Sequence, residues 1–440
     1  MGVRRLRGRL DGSAGRAGPP TVVLVATALL AGLGLAACGS GSGSGSNALT
    51  WYINPDNGSQ AKLAAECTAQ SNGAYKITTS ILPNDASTQR EQLLRRLAAD
   101  DSSTDLMSLD PVFVAEFAQA GFLQQVPEDL KADFTADTVQ PAIDASTWKD
   151  KLYAAPFWAN TQLLWYRKSV AEKAGLDMSK PVTWAQIIAA AKAESKTVGV
   201  QANRYEGYTV WINALYAGAG GSMVENPTAK AEQIKLGIAG PAGTAAATVI
   251  SGLAKSGVGG PSLSTEDEEA ARALFQGDTG GFMVNWPYVW SAANEQAKDV
   301  VPDIGWTRYP RTEADKTSRP PFGGIELAVG AASKHKDLAF EAAKCITSTK
   351  SQIEYMVNSG NPAARNAAYD DAAVRKAFPM ADQIRASLAT AAPRPITAYY
   401  GDVSLAVQDG FHPPSKVDPR TTPEDTQKYL LEVLKGDALL

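Results

Sequence analysis

Two histidines and three cysteines in 440 residues leave little raw material for several kinds of chemistry. His335 and His412 alone cannot build a histidine metal cluster or a shared acid–base relay, so no metal and no cofactor is expected. Three cysteines are too few for a disulfide scaffold. No Gly-x-Ser-x-Gly elbow occurs, which removes the commonest serine-hydrolase signature. Charge is sparse: 20% of residues are ionic and the formal net charge is -4, so the basic footprint of a nucleic-acid binder is missing. Past Ala37 no run reaches the roughly 18 apolar residues needed to cross a bilayer, so the chain cannot form a channel by itself. What is present is 44% hydrophobic residues with 9 Trp and 14 Tyr, enough for a sizeable core in two or three compact units.

The single long apolar run reads as an export signal. Arg4, Arg5, Arg7, Arg9 and Arg16 precede Thr21 to Ala37, the layout of a secretory signal peptide over residues 1–37, and Arg4-Arg5 leaves twin-arginine export open. Leu35-Ala36-Ala37-Cys38 resembles a bacterial lipobox, which would place diacylglycerol on Cys38 and hold the protein at the outer face of the cell membrane. Residues 38–47, with the Gly/Ser run from Gly39 to Ser46, then read as a flexible tether. Removing residues 1–37 leaves 37 basic side chains against 45 acidic ones.

Beyond the tether, strand and helix signals alternate. Leu49 to Ile53 is an apolar run closed by Asn54-Pro55-Asp56-Asn57-Gly58, a strand followed by turn chemistry. Ser59 is placed to cap a helix with Leu63, Ala64 and Cys67 on one face. Tyr75, Ile77, Thr79 and Ile81 alternate as a half-buried strand, and Leu93, Leu94 and Leu97 face inward from a helix. Leu106 to Leu109 is a third strand, ended by Asp110-Pro111, where the proline opens a helix through Phe117. Thr183 and Gln186 have capping-box spacing, Ser333 is expected to cap a helix, and Thr422-Pro423 opens a last helix that Gly436 stops. The order predicts an α/β fold in which helices cover a parallel sheet. Ligands gather beyond the carboxyl ends of such strands, where Asn54, Asn57 and Asp110 sit.

Several segments taken together carry a likeness. Leu106 to Asp110 with Ala115 to Gly121, Lys151 to Pro156, Asn160 to Arg167, Val284-Asn285-Trp286-Pro287-Tyr288, Gly323-Gly324 before Leu327, and Arg394-Pro395 resemble the extracellular solute-binding proteins of sugar ABC importers (family 1). Within that family the pattern is most similar to the actinobacterial trehalose-binding lipoproteins. The resemblance covers essentially the mature chain and implies a two-lobed, periplasmic-binding-protein-like clamshell with three interlobe crossings. These would fall near Ala154 to Phe157, Phe322 to Ile325 and Gly360 to Pro362, where Gly or Pro supplies the backbone behaviour a hinge needs. Lobe I would hold residues 48–154 and 326–360, and lobe II residues 155–325 and 361–440.

A neutral sugar offers hydroxyls that both donate and accept, and an apolar C–H face that suits flat rings. On a strand, Trp158, Asn160 and Gln162 share one face. The resemblance puts Trp158, Asn160, Trp286, Tyr288, Gly324 and Arg394 at the sugar, with Asp110 from the first lobe and Glu266 as a further candidate. By position alone Asp110 reads equally as a helix cap, Trp158 and Trp286 as core aromatics, and Arg394 as a loop charge. Trp148 and Trp184 read as packing. Some related binders carry an aromatic after the paired glycines; Ile325 here removes one stacking platform and favours a disaccharide over a long maltodextrin. With Cys38 lipidated, Cys67 and Cys345 remain in an oxidising compartment. Both lie on apolar helical faces and the resemblance assigns both to lobe I, so a disulfide is expected.

The implied function is capture of a disaccharide, trehalose first, and its delivery to a membrane permease with a cytoplasmic ATPase. The protein would be a monomer with no enzymatic activity and no nucleic-acid partner. Maltose or another α-glucoside or short oligosaccharide is the alternative ligand. A secreted glycoside hydrolase using paired carboxylates is the alternative of another class.

Overall fold

Alternating apolar residues and helix caps set the first half of the fold in a computed structural model that describes residues 47–439. The signal segment, Cys38 with its expected lipid, and the Gly/Ser run lie outside the described residues. Strand β1 (Ala48–Ile53) pairs in parallel with β2 (Lys76–Ile81) and β3 (Leu106–Leu109), and the helices Ser59–Gln70 and Ala86–Ala98 make the crossovers. Strands β4 (Thr147–Trp148) and β5 (Lys151–Leu152) form a small ribbon ahead of β6 (Ala154–Thr161). A single residue, Gln162, separates β6 from β7 (Leu163–Arg167), which belongs to a second sheet with β8 (Thr197–Gly199), β9 (Gly280–Asn285) and β10 (Ile304–Thr307). The chain returns to the first sheet as β11 (Phe322–Val329), antiparallel between β3 and β6. The orders are β2-β1-β3-β11-β6 and β10-β7-β9-β8, the two main sheets of an α/β clamshell.

Each sheet has its own apolar packing. Trp51, Phe157, Ile325 and Tyr355 gather around the first sheet with the buried face of the helix Lys336–Ile346. Trp184, Tyr208, Trp211, Phe282 and Phe411 gather around the second. Trp148 and Trp184 are buried, in keeping with packing roles. Among the described residues no helix is long and apolar enough to cross a membrane.

Local signals held in part. Thr183 and Gln186 make the complete capping box of the helix Trp184–Ala193, and Gly436, at φ 79°, closes the helix Thr422–Lys435. Cys67 and Cys345 form a disulfide, with Cα atoms 5.8 Å apart. Ser59 does not cap its helix: the Asp56 carboxylate takes that part by accepting from Gly58 N at 2.9 Å and Gln60 N at 2.8 Å, and Ser59 donates to Asn57. Ser333 is likewise no cap; its hydroxyl donates to the buried Asp105 and accepts from His335 N, two residues short of the helix. Ile81, the last residue of the edge strand β2, is 69% exposed, and Leu82 is buried instead. Past Asp110 the chain first makes a tight 3-10 turn, Pro111–Phe113, and then the helix Val114–Gln119.

Candidate functional site

The carboxyl ends of β1 and β3, the face of β6, the glycine pair of β11 and the first turns of four helices surround a cavity of about 400 Å³. Eight of the expected residues line it: Asn54, Asp110, Trp158, Asn160, Trp286, Tyr288, Gly324 and Arg394. Trp158 and Asn160 reach it together because they are two apart on β6 and share its face. The strand stands close to β11, with Gly323 opposite Asn160 and Gly324 opposite Ala159. Gly324 has φ 129°, and a Cβ there would overlap the Trp158 carbonyl oxygen, so this approach requires glycine. At Gly323 an added Cβ would come 3.0 Å from the Trp286 ring, which rests against that bare backbone.

Charge is concentrated at Arg394, which is 3% exposed. Its guanidinium donates to Asp110 Oδ1 at 2.7 Å and to Glu206 Oε1 at 2.6 Å. Glu206, in the first turn of the helix Glu206–Gly218, also accepts from the Tyr400 hydroxyl, and from Ser404 Oγ at 2.6 Å. Burial opposes the Arg394 charge, but Asp110, Tyr400 and Glu206 outweigh it and hold its pKa above the ordinary value. Burial raises the Glu206 pKa, opposed by the guanidinium. Asp110 keeps its capping part, accepting from Val112 N at 3.3 Å, so both readings of that residue apply at once.

A third carboxylate faces the cavity from the helix Glu268–Gln276. Glu268 accepts from the Tyr205 hydroxyl at 2.7 Å and stands 3.5 Å from Trp286 Nε1. Burial raises its pKa, and these donors oppose the rise. Tyr288 donates to Glu269 at 2.6 Å.

Two expected residues lie elsewhere. Asn57 sits at the start of the first helix with its amide donating to Asn358 O at 2.8 Å, which ties a loop rather than facing the cavity. Glu266 is enclosed behind the wall, accepts from Ser262 at 3.0 Å, and is pushed up to about 7 by burial. The register within the acidic run is two residues off: Asp267 caps the helix by accepting from Ala270 N at 2.8 Å, which carries Glu268 to the cavity. Gln162, beyond the end of β6, donates to Gln201 at 2.8 Å inside the protein. Tyr205, Glu206 and Glu268 escaped the sequence reading. An acid in a first helical turn is accounted for by the helix dipole, so its local sequence gives no second reason to single it out.

Three buried polar atoms on lining residues have no protein partner: Asn54 Oδ1, Trp158 Nε1 and Arg394 Nε. They are one acceptor and two donors, enclosed within the wall rather than open to the cavity. Among the described residues no cluster of His, Cys, Asp and Glu could hold a metal ion.

Residues 54–353 match the bacterial extracellular solute-binding protein family. A probable ABC transporter-binding protein of Deinococcus radiodurans is 28% identical over 353 residues, 75% of this chain and 78% of that protein. The diacetylchitobiose binding protein DasA of Streptomyces coelicolor is 24% identical over 266 residues, 59% of this chain and 60% of that one. Among solved structures, maltose-bound T. maritima MalE3 superposes with a TM-score of 0.76 at 26% identity, covering 88% of this chain and 99% of that one. The GacH receptor of Streptomyces glaucescens has the same fold, with a TM-score of 0.72 at 19% identity over 88% and 98% of the two chains.

Proposed function

The chain belongs to the bacterial extracellular solute-binding proteins, and from that premise we propose that it captures a disaccharide, trehalose first, for a sugar ABC importer. The observation that carries the reading is the lining of the cavity, where the side chains of Asn54, Asp110, Asn160, Glu206, Glu268 and Arg394 stand with the indoles of Trp158 and Trp286. The amides and carboxylates would pair with the sugar's hydroxyls. The rings would take the sugar's C–H face. A volume of about 400 Å³ is at the small end of the ligand-site range and suits two sugar rings rather than a long chain. MalE3 is described with maltose and DasA as a diacetylchitobiose binder, and a maltose-like α-glucoside is the alternative ligand.

Lobes of residues 48–154 with 326–360 and 155–325 with 361–440 would close over the sugar and present it to a permease with a cytoplasmic ATPase. Anchoring would come through a lipid on Cys38, and the protein would act as a monomer. Hydrolysis is the weaker reading, since Glu206 is held by Arg394, Tyr400 and Ser404, while Glu268 is held by Tyr205. Asn160→Ala and Asp110→Ala are each expected to weaken trehalose binding about tenfold, about 1.4 kcal/mol, while the protein stays folded. Calorimetric titration checks this, and unchanged affinity in both variants would mean the site lies elsewhere.

A further inference from the structure

Resting on the reading that this cavity takes a sugar, we infer that Tyr205 sets how long a sugar it accepts, because its phenol fills a ring-sized place in the cavity's lining. The chain is extended at Tyr205, φ -160°, just before the helix Glu206–Gly218, and the side chain folds back over the first turn. It lies so close to Gly207 that a Cβ at that position would overlap the phenol, hydroxyl oxygen included. Gly207 is the second residue of that helix, and its lack of a side chain leaves the room that Tyr205 fills. The hydroxyl donates to Glu268 Oε2, 2.7 Å away.

The surroundings of the phenol are those a sugar ring would use. Gly207 forms a bare floor, Glu268 is a carboxylate acceptor without a cationic partner, and Trp286 and Tyr288 line the same cavity. A phenol and a pyranose are both six-membered rings of similar breadth. Tyr205 therefore holds the place of a third sugar ring and makes with Glu268 the hydrogen bond that a sugar hydroxyl would otherwise make. Replacing it by a small side chain opens that place and frees the acceptor.

The test is titration of trehalose, maltose and maltotriose against the unmodified protein and against Tyr205→Ala, Gly207→Ala and Tyr205→Phe. The quantity read is the affinity for maltotriose divided by that for the tighter-binding disaccharide. This ratio is expected to rise at least tenfold in Tyr205→Ala and, because the added Cβ expels the ring, in Gly207→Ala; Tyr205→Phe keeps the ring and the original ratio. An ordinary wall contact would change all three sugars alike, so an unmoved ratio in Tyr205→Ala overturns the inference. A rise in Tyr205→Phe equal to that in the alanine variant overturns it too. Failure of the unmodified protein to bind any of the three sugars overturns the sugar reading itself, an outcome distinct from an unmoved ratio.

Discussion

Glu326 is a carboxyl with no charged partner, fully enclosed in β11 and held by one hydrogen bond from Ser146 at 2.6 Å, its other oxygen unpartnered. Burial, with a smaller push from the Asp110 charge, raises its pKa to about 8 from an ordinary value of 4.5. Between those values the folded protein holds a proton that the unfolded chain has released. Stability from this group is complete below about pH 4.5 and falls as pH rises through the window to 8. Glu266, at about 7, acts in the same direction. Urea unfolding of the protein and of Glu326→Gln between pH 5 and 8 is expected to show the unmodified protein losing stability relative to the variant as pH rises; parallel curves would contradict the assignment. Legibility at this scale followed local conflict. Asn160 stands out because an amide in a strand interior runs against propensity, whereas Glu206 and Glu268 sit where any helix would welcome an acid.

At the scale of elements, the site depends on two antiparallel strands meeting without side chains between them. β6 and β11 pair from Phe322 opposite Thr161 to Ala328 opposite Ala154, with an irregularity between Ile325 and Glu326. The left-handed backbone at Gly324 lies on the cavity side of that irregularity and fixes where Trp158 and Asn160 point. Gly324→Ala combines an unfavourable φ with an overlap on the Trp158 carbonyl, so it is expected to lower stability by about 1–3 kcal/mol and sugar affinity at least tenfold. Thermal unfolding and titration measure the two effects, and a variant that keeps full affinity would show that the strand contact does not position the wall. Helix starts were legible only in part. Thr183 with Gln186 and Thr422 with Pro423 announce themselves within four residues, while the capping of the first helix by Asp56 rather than Ser59 turns on a backbone bend at Gly58 that residue type alone does not reveal.

For the whole molecule, two sheets share one chain. β11 inserts between β3 and β6, placing Glu326 opposite Leu109 across more than two hundred residues of sequence, and no local pattern announces such a pairing. The residues indicated an α/β alternation, and the two-lobed arrangement came from resemblance. The helix Tyr400–Phe411 shows how closely the parts are joined. Tyr400 packs against Phe113 at 6.0 Å in the apolar cluster beside β3, whereas Val403, Ala406 and Val407 belong to the core of the second sheet. Arg394, reaching both Asp110 and Glu206, adds a polar link across the same seam. A ligand that contacts both sides would favour whichever arrangement brings these groups together, since only differential contacts can shift a conformational equilibrium. The most direct test is isothermal titration of the purified protein with trehalose while the mixture is assayed for released glucose. Saturable one-to-one binding with no glucose is the predicted result; accumulation of glucose, or no heat with trehalose, maltose or any other short α-glucoside, would contradict the account.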